Sequence, residues 1–194
     1  MNVIKTAIDG DLILEPRVFG DARGYFFESF SKRDFDAAVC PVLGHTVNFV
    51  QDNESSSCYG VMRGLHYQKM PYCQSKLVRC VRGSVLDVAV DIRRGSPTFG
   101  QHVSAVLSEE NHRMMFISRG FAHGFSVLSE TAVFQYKCDN YYEPASEGGI
   151  SILDKSLGID WGIPEGKEIL SPKDLARACL SEAAADFSIT DKLY

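Results

Sequence analysis

The segment Val85-Leu86-Asp87-Val88-Ala89-Val90-Asp91-Ile92 decides the fold class, because its side chains alternate along the chain. One set of alternate positions is entirely aliphatic: Leu86, Val88, Val90 and Ile92. The other set is mixed: Val85, Asp87, Ala89 and Asp91. Such alternation is typical of a β-strand, whose successive side chains point to opposite faces. The pattern predicts a strand with one face in the core and the other lining a cavity or facing water.

Short strands with turn signals between them surround this segment. Gly83-Ser84 precedes it and predicts a turn back onto a strand over Lys76–Val81. Ser129-Glu130-Thr131 predicts a second hairpin, which joins Phe125–Leu128 to Ala132–Cys138. Strands at this spacing are typical of an all-β sandwich or barrel. We expect strands to dominate residues 47–152, as the core of a single domain that spans residues 1–194.

Helices are expected at only two places. Ser31-Lys32-Arg33-Asp34 resembles a capping box, and Phe30 and Phe35 occupy the staple positions, so a helix over about Lys32–Val39 is predicted. Ser171-Pro172-Lys173-Asp174 has the features of a second helix start, with serine as the N-cap and proline in the first turn. Good helix formers follow, and they predict a helix over about 172–185.

Charge and composition exclude several classes of function. The 194 residues carry a formal net charge of -5, so the chain offers no general basic field for nucleic acid. No apolar stretch approaches the length that a membrane span needs, and no signal peptide is recognisable. The cysteines show no metal-binding or redox spacing: Cys40, Cys58, Cys73, Cys80, Cys138 and Cys179. Reduced thiols in a cytoplasmic protein are therefore expected.

A local cluster of cations stands out against this acidic background. Arg63-Gly64-Leu65-His66-Tyr67-Gln68-Lys69 is followed closely by Lys76 and Arg79. A histidine beside fixed cations suits proton removal from a carbon next to a carbonyl, because the cations stabilise the resulting oxyanion. Read from the residues alone, His66 also fits a hydrogen-bonded structural histidine, and Lys76 also fits a solvated strand lysine.

A series of motifs in order along the chain identifies a family. They are Arg63-Gly64-Leu65-His66-Tyr67-Gln68, Lys76-Leu77-Val78-Arg79, Asp87-Val88-Ala89-Val90-Asp91, Ser96-Pro97-Thr98-Phe99-Gly100, Arg119-Gly120-Phe121-Ala122-His123-Gly124-Phe125 and Tyr136-Lys137-Cys138. Through these motifs the chain closely resembles the dTDP-4-dehydrorhamnose 3,5-epimerase family over about residues 3–176. The resemblance implies a cupin-type β jelly roll, a homodimer, and no metal or organic cofactor. It also implies inversion of C3 and C5 of a dTDP-linked 4-keto-6-deoxyglucose, which gives an L-rhamnose precursor for a later reductase.

The resemblance assigns catalytic roles to four residues. His66 matches the base, Lys76 the cation beside the C4 oxygen, and Tyr136 the proton donor, whose phenol is protonated at neutral pH. Asp174 matches the carboxylate that pairs with the histidine. Read from the pattern alone, Tyr136 also fits a core tyrosine, and Asp174 also fits an acidic residue that interacts with a helix dipole.

The resemblance also places substrate-binding residues. Arg23, Glu28 and the run Gln51-Asp52-Asn53 match nucleotide contacts. The matches to sugar, diphosphate and more peripheral contacts are Arg63, Lys76, His123, Glu147 and Lys173. Arginine suits a diphosphate because its planar fork makes paired, charge-assisted hydrogen bonds.

Three other functions compete with this interpretation. A metal-dependent cupin needs closely spaced histidines, whereas His66 is followed by Tyr67-Gln68 and the other histidines are scattered. A non-catalytic sugar-binding module needs no base and acid, so the presence of both argues against it. A sibling enzyme that inverts C3 alone, or acts on another nucleotide-linked 4-keto sugar, stays open because the sequence does not reveal the shape of the pocket.

Overall fold

A computed structural model describes residues 1–183 and 186–194 of the chain. Antiparallel strands dominate it: β1 Asn2–Lys5, β2 Leu12–Glu15, β3 Phe19–Asp21, β4 Gly24–Phe26, β5 Gln51–Cys58, β6 Met62–Gln68, β7 Lys76–Arg82, β8 Ser84–Asp91, β9 His102–Ser108, β10 Met114–Ile117, β11 Phe121–Val127, β12 Thr131–Cys138 and β13 Glu147–Gly149. The helices are α1 Lys32–Leu43 and α2 Pro172–Leu175, with short 3-10 turns at Pro144–Ser146 and Lys155–Leu157. None of the described helices is long and apolar enough to cross a membrane.

Two sheets pack face to face as a sandwich. The six-stranded sheet has the order β1-β2-β10-β7-β12-β5, and the five-stranded sheet has the order β13-β6-β11-β8-β9. The strands β3 and β4 form a separate two-stranded hairpin. The all-β sandwich predicted from the sequence is confirmed. Strands β1 and β2 lie outside residues 47–152 yet extend the larger sheet, so the sandwich is wider than expected; that the chain is a single domain stays a prediction.

The predicted strand pairing was wrong at both turns. The chain does reverse at Gly83, which has a φ of 75°, but β7 lies in the six-stranded sheet and β8 in the five-stranded one. Likewise β11 pairs with β6 and β8, whereas β12 pairs with β5 and β7. Turn residues dictate that a chain reverses, but the packing of the whole sandwich decides which strand edge receives the hydrogen bonds.

The core between the sheets contains alternate residues from strands of both. Its buried members include Val78, Val85, Ala89, Phe125 and Phe134. The alternation predicted for β8 is present, and its mixed face points into the sandwich. The aliphatic face of the same strand is also covered, because Val88 and Val90 belong to a second core.

This second core covers the outer face of the five-stranded sheet. Residues that follow β13 supply much of it, including Ile150, Ile152, Leu157, Trp161 and Phe187. The segment has little regular structure, so its tertiary contacts rather than backbone periodicity fix its course. Those contacts explain why the chain after β13 remains attached to the sheet that carries His66.

The predicted helix α1 is confirmed and continues past the expected end at Val39 to Leu43, whereas α2 is much shorter than expected. Ser31 caps α1, and the rings of Phe30 and Phe35 lie 5.9 Å apart, as the staple requires. The prediction of a helix over about 172–185 was wrong, because α2 ends at Leu175. Beyond it, the Leu180 amide donates to Asp154 Oδ2 at 2.7 Å. This tertiary hydrogen bond takes the place of a continued helix. Positions 184 and 185 of that prediction lie outside the described residues.

Candidate active site

A cavity of about 700 Å³ opens between the sheets. Its walls come from β5, β7 and β12 of the larger sheet and from β6, β11 and β13 of the smaller one. It brings together most of the predicted site residues: Gln51, Asn53, Arg63, His66, Lys76, His123, Tyr136, Glu147, Lys173 and Asp174. The volume falls within the range for small-molecule sites.

His66 and Asp174 form a hydrogen-bonded pair on one wall. The His66 Nε2 to Asp174 Oδ1 distance is 2.5 Å, and Asp174 is buried while the His66 side chain is 34% exposed. Ser171, the N-cap of α2, donates its hydroxyl to the other carboxylate oxygen at 2.9 Å. An ionised carboxylate only accepts hydrogen bonds, so it places the imidazole proton on Nε2 and leaves Nδ1 as a free base.

Opposing effects act on the pKa of His66. Burial lowers it below its ordinary value, and the hydrogen bond and charge of Asp174 offset only part of this decrease. The imidazole is therefore neutral at pH 7 and able to accept a proton. The same carboxylate would stabilise an imidazolium at this position.

Lys76 and Tyr136 lie on the opposite sheet, on the neighbouring strands β7 and β12. Lys76 Nζ lies 5.9 Å from the centre of the Tyr136 ring. Burial lowers the pKa of Lys76 and raises that of Tyr136, so the phenol stays protonated at neutral pH. Within the described residues the Tyr136 hydroxyl has no hydrogen-bond partner, which leaves it available to a ligand.

An irregularity in β6 brings Arg63 and His66 to the same cavity. Strict alternation would place these positions on opposite faces of the sheet. The register between β6 and β11 shifts between His123 and Phe125, and such a bulge redirects side chains. The backbones of Gly64 and Gly124 are in close contact at this point. A Cβ on Gly64 would lie only 2.6 Å from the Gly124 Cα, so a larger residue does not fit there.

A second histidine–carboxylate pair lies deeper in the sandwich, where the predicted residue His123 has a partner that was not predicted, Asp87. His123 Nε2 lies 2.8 Å from Asp87 Oδ1, and both side chains are buried. Burial lowers the pKa of His123, although the nearby Asp87 charge opposes this effect. The alternation in β8 had placed Asp87 on the partly polar face of that strand, but no local pattern links it to His123.

Glu147 joins several side chains at the mouth of the cavity. It accepts hydrogen bonds from Lys173 Nζ at 2.6 Å, Arg177 Nη2 at 2.7 Å and the Tyr142 hydroxyl at 2.7 Å. Burial would raise the pKa of Glu147, but the bonds from Lys173 and Tyr142 lower it below its ordinary value. Arg177 and Tyr142 were absent from the predicted set because no local pattern links them to β13.

Some predicted nucleotide contacts do not line the cavity. Asp52 points to the other face of β5, where it pairs with Lys137 Nζ at 2.8 Å, because alternation turns it away from Gln51 and Asn53. Arg23 is on the exposed hairpin and pairs with Asp21, and Glu28 follows the same hairpin.

Several polar cavity residues were not predicted, and neighbouring strands bring them together: Ser55, Gln68, Gln74, Cys138, Tyr142 and Ser171. In the part of the chain that the structure describes, no three His, Cys, Asp or Glu residues are grouped so as to hold a metal ion.

A sandwich of two antiparallel sheets with an imidazole–carboxylate pair, an ammonium group and a phenol around one cavity fits a cupin-type sugar epimerase. The profile described as dTDP-4-dehydrorhamnose 3,5-epimerase matches residues 5–182. The chain belongs to this family. It is 57% identical over 175 residues to the Shigella flexneri enzyme of that description, with 90% of this chain and 93% of the relative covered. The Escherichia coli K12 enzyme is 55% identical over 174 residues, with coverage of 90% and 91%.

Solved structures of relatives have the same fold. The Legionella pneumophila epimerase, determined in complex with dTDP-4-keto-L-rhamnose, superposes with a TM-score of 0.91 at 49% identity and covers 98% of this chain and 99% of its own. The predicted jelly-roll fold and the predicted isomerase function are confirmed. The chain has dTDP-4-dehydrorhamnose 3,5-epimerase activity, a step of dTDP-rhamnose biosynthesis.

Proposed function

We propose that His66 is the general base and Tyr136 the general acid for both inversions, with Lys76 at the C4 oxygen and Asp174 as the partner of the base. The observation that carries this proposal is their arrangement around one cavity. His66 and Asp174 lie on one side, whereas Lys76 and Tyr136 come from the facing sheet. A flat enolate between the sheets would have a proton acceptor on one face and a donor on the other.

The reaction proceeds through the carbon acidity of the ketone. His66 Nδ1 takes the proton from the carbon next to C4, and the electron pair of the C–H bond moves into an enolate whose charge rests on the C4 oxygen. The Lys76 ammonium stabilises that charge in a partly buried setting, where one donor is worth about 10²–10³ in rate. Tyr136 then returns a proton to the opposite face of the carbon, which inverts the centre. Exchange with water restores the protonation of both side chains before the next step.

The remaining cavity residues are proposed to hold the substrate. Arg63 is exposed at the mouth, where its guanidinium contacts only Ser57 Oγ at 3.2 Å among its hydrogen bonds in the described residues. It is therefore available for the diphosphate. His123 faces the sugar with its ring fixed by Asp87, while Gln51 and Asn53 present amides from β5. Lys173 and Glu147 are proposed to act at the rim.

The chain is proposed to act as a homodimer in which the β3–β4 hairpin contacts the other copy. The hairpin exposes Phe19, Tyr25 and Phe26, with 51%, 61% and 67% of their surface accessible, and aromatic groups in this number favour an interface. This arrangement also accounts for Arg23 and Glu28, which do not line the cavity of their own chain. We propose that they contact the nucleotide in the cavity of the partner subunit.

Isotope exchange tests the catalytic roles. The 4-keto substrate incubated with the enzyme in D₂O should gain deuterium at both C3 and C5. His66→Asn should abolish exchange at both carbons, because asparagine cannot take up the proton and His123, which also lines the cavity, is buried with Nε2 bonded to Asp87. Exchange at normal rates in this variant would refute the assignment of His66.

Mixing two inactive variants tests the shared site. A dimer formed from His66→Asn and Arg23→Ala chains contains one cavity with an intact base and an intact arginine, if the arginine comes from the partner subunit. Activity should therefore return on mixing after mild dissociation. No recovery, with mixed dimers demonstrated by mass spectrometry, would show that Arg23 acts elsewhere. A cytoplasmic location stays a prediction for cell fractionation to test.

A further inference from the structure

The 186–194 segment is anchored beside His66 at its beginning. The Tyr67 hydroxyl donates to Asp186 Oδ2 at 2.6 Å, and Lys69 Nζ lies 3.4 Å from the other carboxylate oxygen. Phe187 is buried and meets the Tyr67 ring edge to face, with the ring centres 5.6 Å apart. Tyr67 directly follows His66 on β6 and points to the second core. The segment therefore contacts the face of β6 opposite to the face that carries His66.

The same segment is anchored beside Lys76 at its other end. The Tyr194 hydroxyl shares a 2.5 Å hydrogen bond with Ser75 Oγ and accepts one from the Arg119 amide at 3.0 Å. Ser75 is buried, and its amide donates to Asp139 Oδ1 at 2.6 Å. Ser75 directly precedes Lys76 on β7, and Asp139 directly follows β12, which carries Tyr136. This anchor thus joins the ends of both strands that supply the ammonium and the phenol.

Between the anchors the backbone is also fixed. The Arg94 amide donates to Phe187 O at 3.0 Å, and the Ile189 amide donates to Arg94 O at 2.9 Å. The Arg119 guanidinium donates to Leu193 O at 2.7 Å. These hydrogen bonds attach the backbone between the two anchors to the rest of the domain.

We propose that the 186–194 segment is a clamp that sets the separation of the two sheets at the active site, with Asp186 and Tyr194 as its positioning residues. Tyr67 belongs to the five-stranded sheet and Ser75 leads into the six-stranded sheet, so the clamp spans the two walls that carry the base and the acid. A misplacement of about 1 Å between reacting groups can cost about 10²-fold in rate. The clamp lies beyond residues 5–182, which the family profile matches, and the proposal rests on the roles given to His66 and Lys76.

The first test removes the bond at Tyr194. Tyr194→Phe and Ser75→Ala should each lower kcat about tenfold with KM unchanged within about twofold, because substrate still binds while the reacting groups are misplaced. The double variant should lose no more than Tyr194→Phe alone, because that change already removes the bond to Ser75 together with the one from the Arg119 amide. Lys192→Ala is the control, because Lys192 is exposed and has no side-chain bond in the described ranges.

The second test uses the anchor at Asp186. Asp186→Ala removes the acceptor for Tyr67 and should lower kcat about tenfold, whereas Asp186→Asn keeps an acceptor oxygen and should restore most of the rate. Folded fraction from near-ultraviolet circular dichroism gives kcat per folded molecule. A kcat per folded molecule within twofold of wild type in Tyr194→Phe and Asp186→Ala would overturn the proposal, as would equal losses in the Ala and Asn variants. Failure of the catalytic assignments would appear separately, as activity retained in His66→Asn.

Discussion

Asp174→Asn should shift the acid limb of the kcat/KM profile to lower pH and should lower kcat. A loss of folded protein would lower the rate without this shift. The carboxylate holds the His66 Nε2 proton and opposes the effect of burial, which lowers the pKa of His66. Asparagine keeps the size of the side chain and its contact with Ser171, but it removes the negative charge. The pKa of the base should then fall further, while the imidazolium formed in the reaction loses its counter-ion.

The magnitude follows from the kind of bond that is lost. A hydrogen bond to a charged group contributes about 1.5–3 kcal/mol, which corresponds to about 10–10² in rate. The partial exposure of His66 places the effect in the lower half of that range, because solvent screens the charge. The base acts when neutral, so activity is lost as the pH falls through its pKa. The acid limb of kcat/KM should therefore shift to lower pH, while kcat at pH 7.5 falls about tenfold.

The prediction is tested by steady-state rates measured from about pH 4.5 to 9, with the product quantified by chromatography. The matched control is Asp160→Asn, an exposed carboxylate that caps a turn away from the cavity and should leave both quantities unchanged. An acid limb that moved to higher pH, or a kcat equal to that of the wild type, would show that Asp174 does not act on the base as proposed.

Three other variants test separate parts of the molecule. Tyr136→Phe should lower turnover about 10²-fold or more while solvent deuterium still enters the recovered substrate, and normal turnover would exclude the phenol as the acid. Lys76→Met should lower kcat about 10²–10³-fold with a smaller change in KM, measured in steady state; a loss below tenfold would contradict its place at the C4 oxygen. Leu14→Ala, in the fully buried cluster beneath α1, should reduce the free energy of unfolding in urea by about 2–5 kcal/mol, with unchanged activity per folded molecule. A loss under about 1 kcal/mol would show that the site collapses around the missing atoms.

The two histidine–carboxylate pairs differ in the solvent accessibility of the histidine side chain. Asp87 and His123 are both buried, whereas His66 keeps about a third of its side chain accessible. A base must reach the substrate and then exchange its proton, so accessibility favours His66. The deeper pair is suited to hold a fixed hydrogen-bonding direction, since a buried neutral imidazole with one nitrogen committed to Asp87 presents the other in a single orientation.

Strand identity and strand pairing depend on different information. The alternation in Val85–Ile92 and in Ala132–Cys138 was readable from the chain, because side-chain period is a local property of an extended backbone. The partners of those strands were not readable, because hydrogen-bonding edges are equivalent until the two sheets pack. Asp52 shows the same limit at a single residue, since its motif suggested a nucleotide contact but its position in β5 points it to Lys137.

By itself the sequence determined the family, the all-β class, helix α1 and the side chains that face the cavity from β6, β7 and β12. These depend on residue type, spacing and alternation, which are encoded within short stretches. Only the tertiary structure decided the crossing of the chain between sheets at Gly83, the early end of α2, the Asp87–His123 pair and the course of the 186–194 segment. Each of these joins residues far apart in the chain, and their contacts form only when both sheets and the outer core pack together.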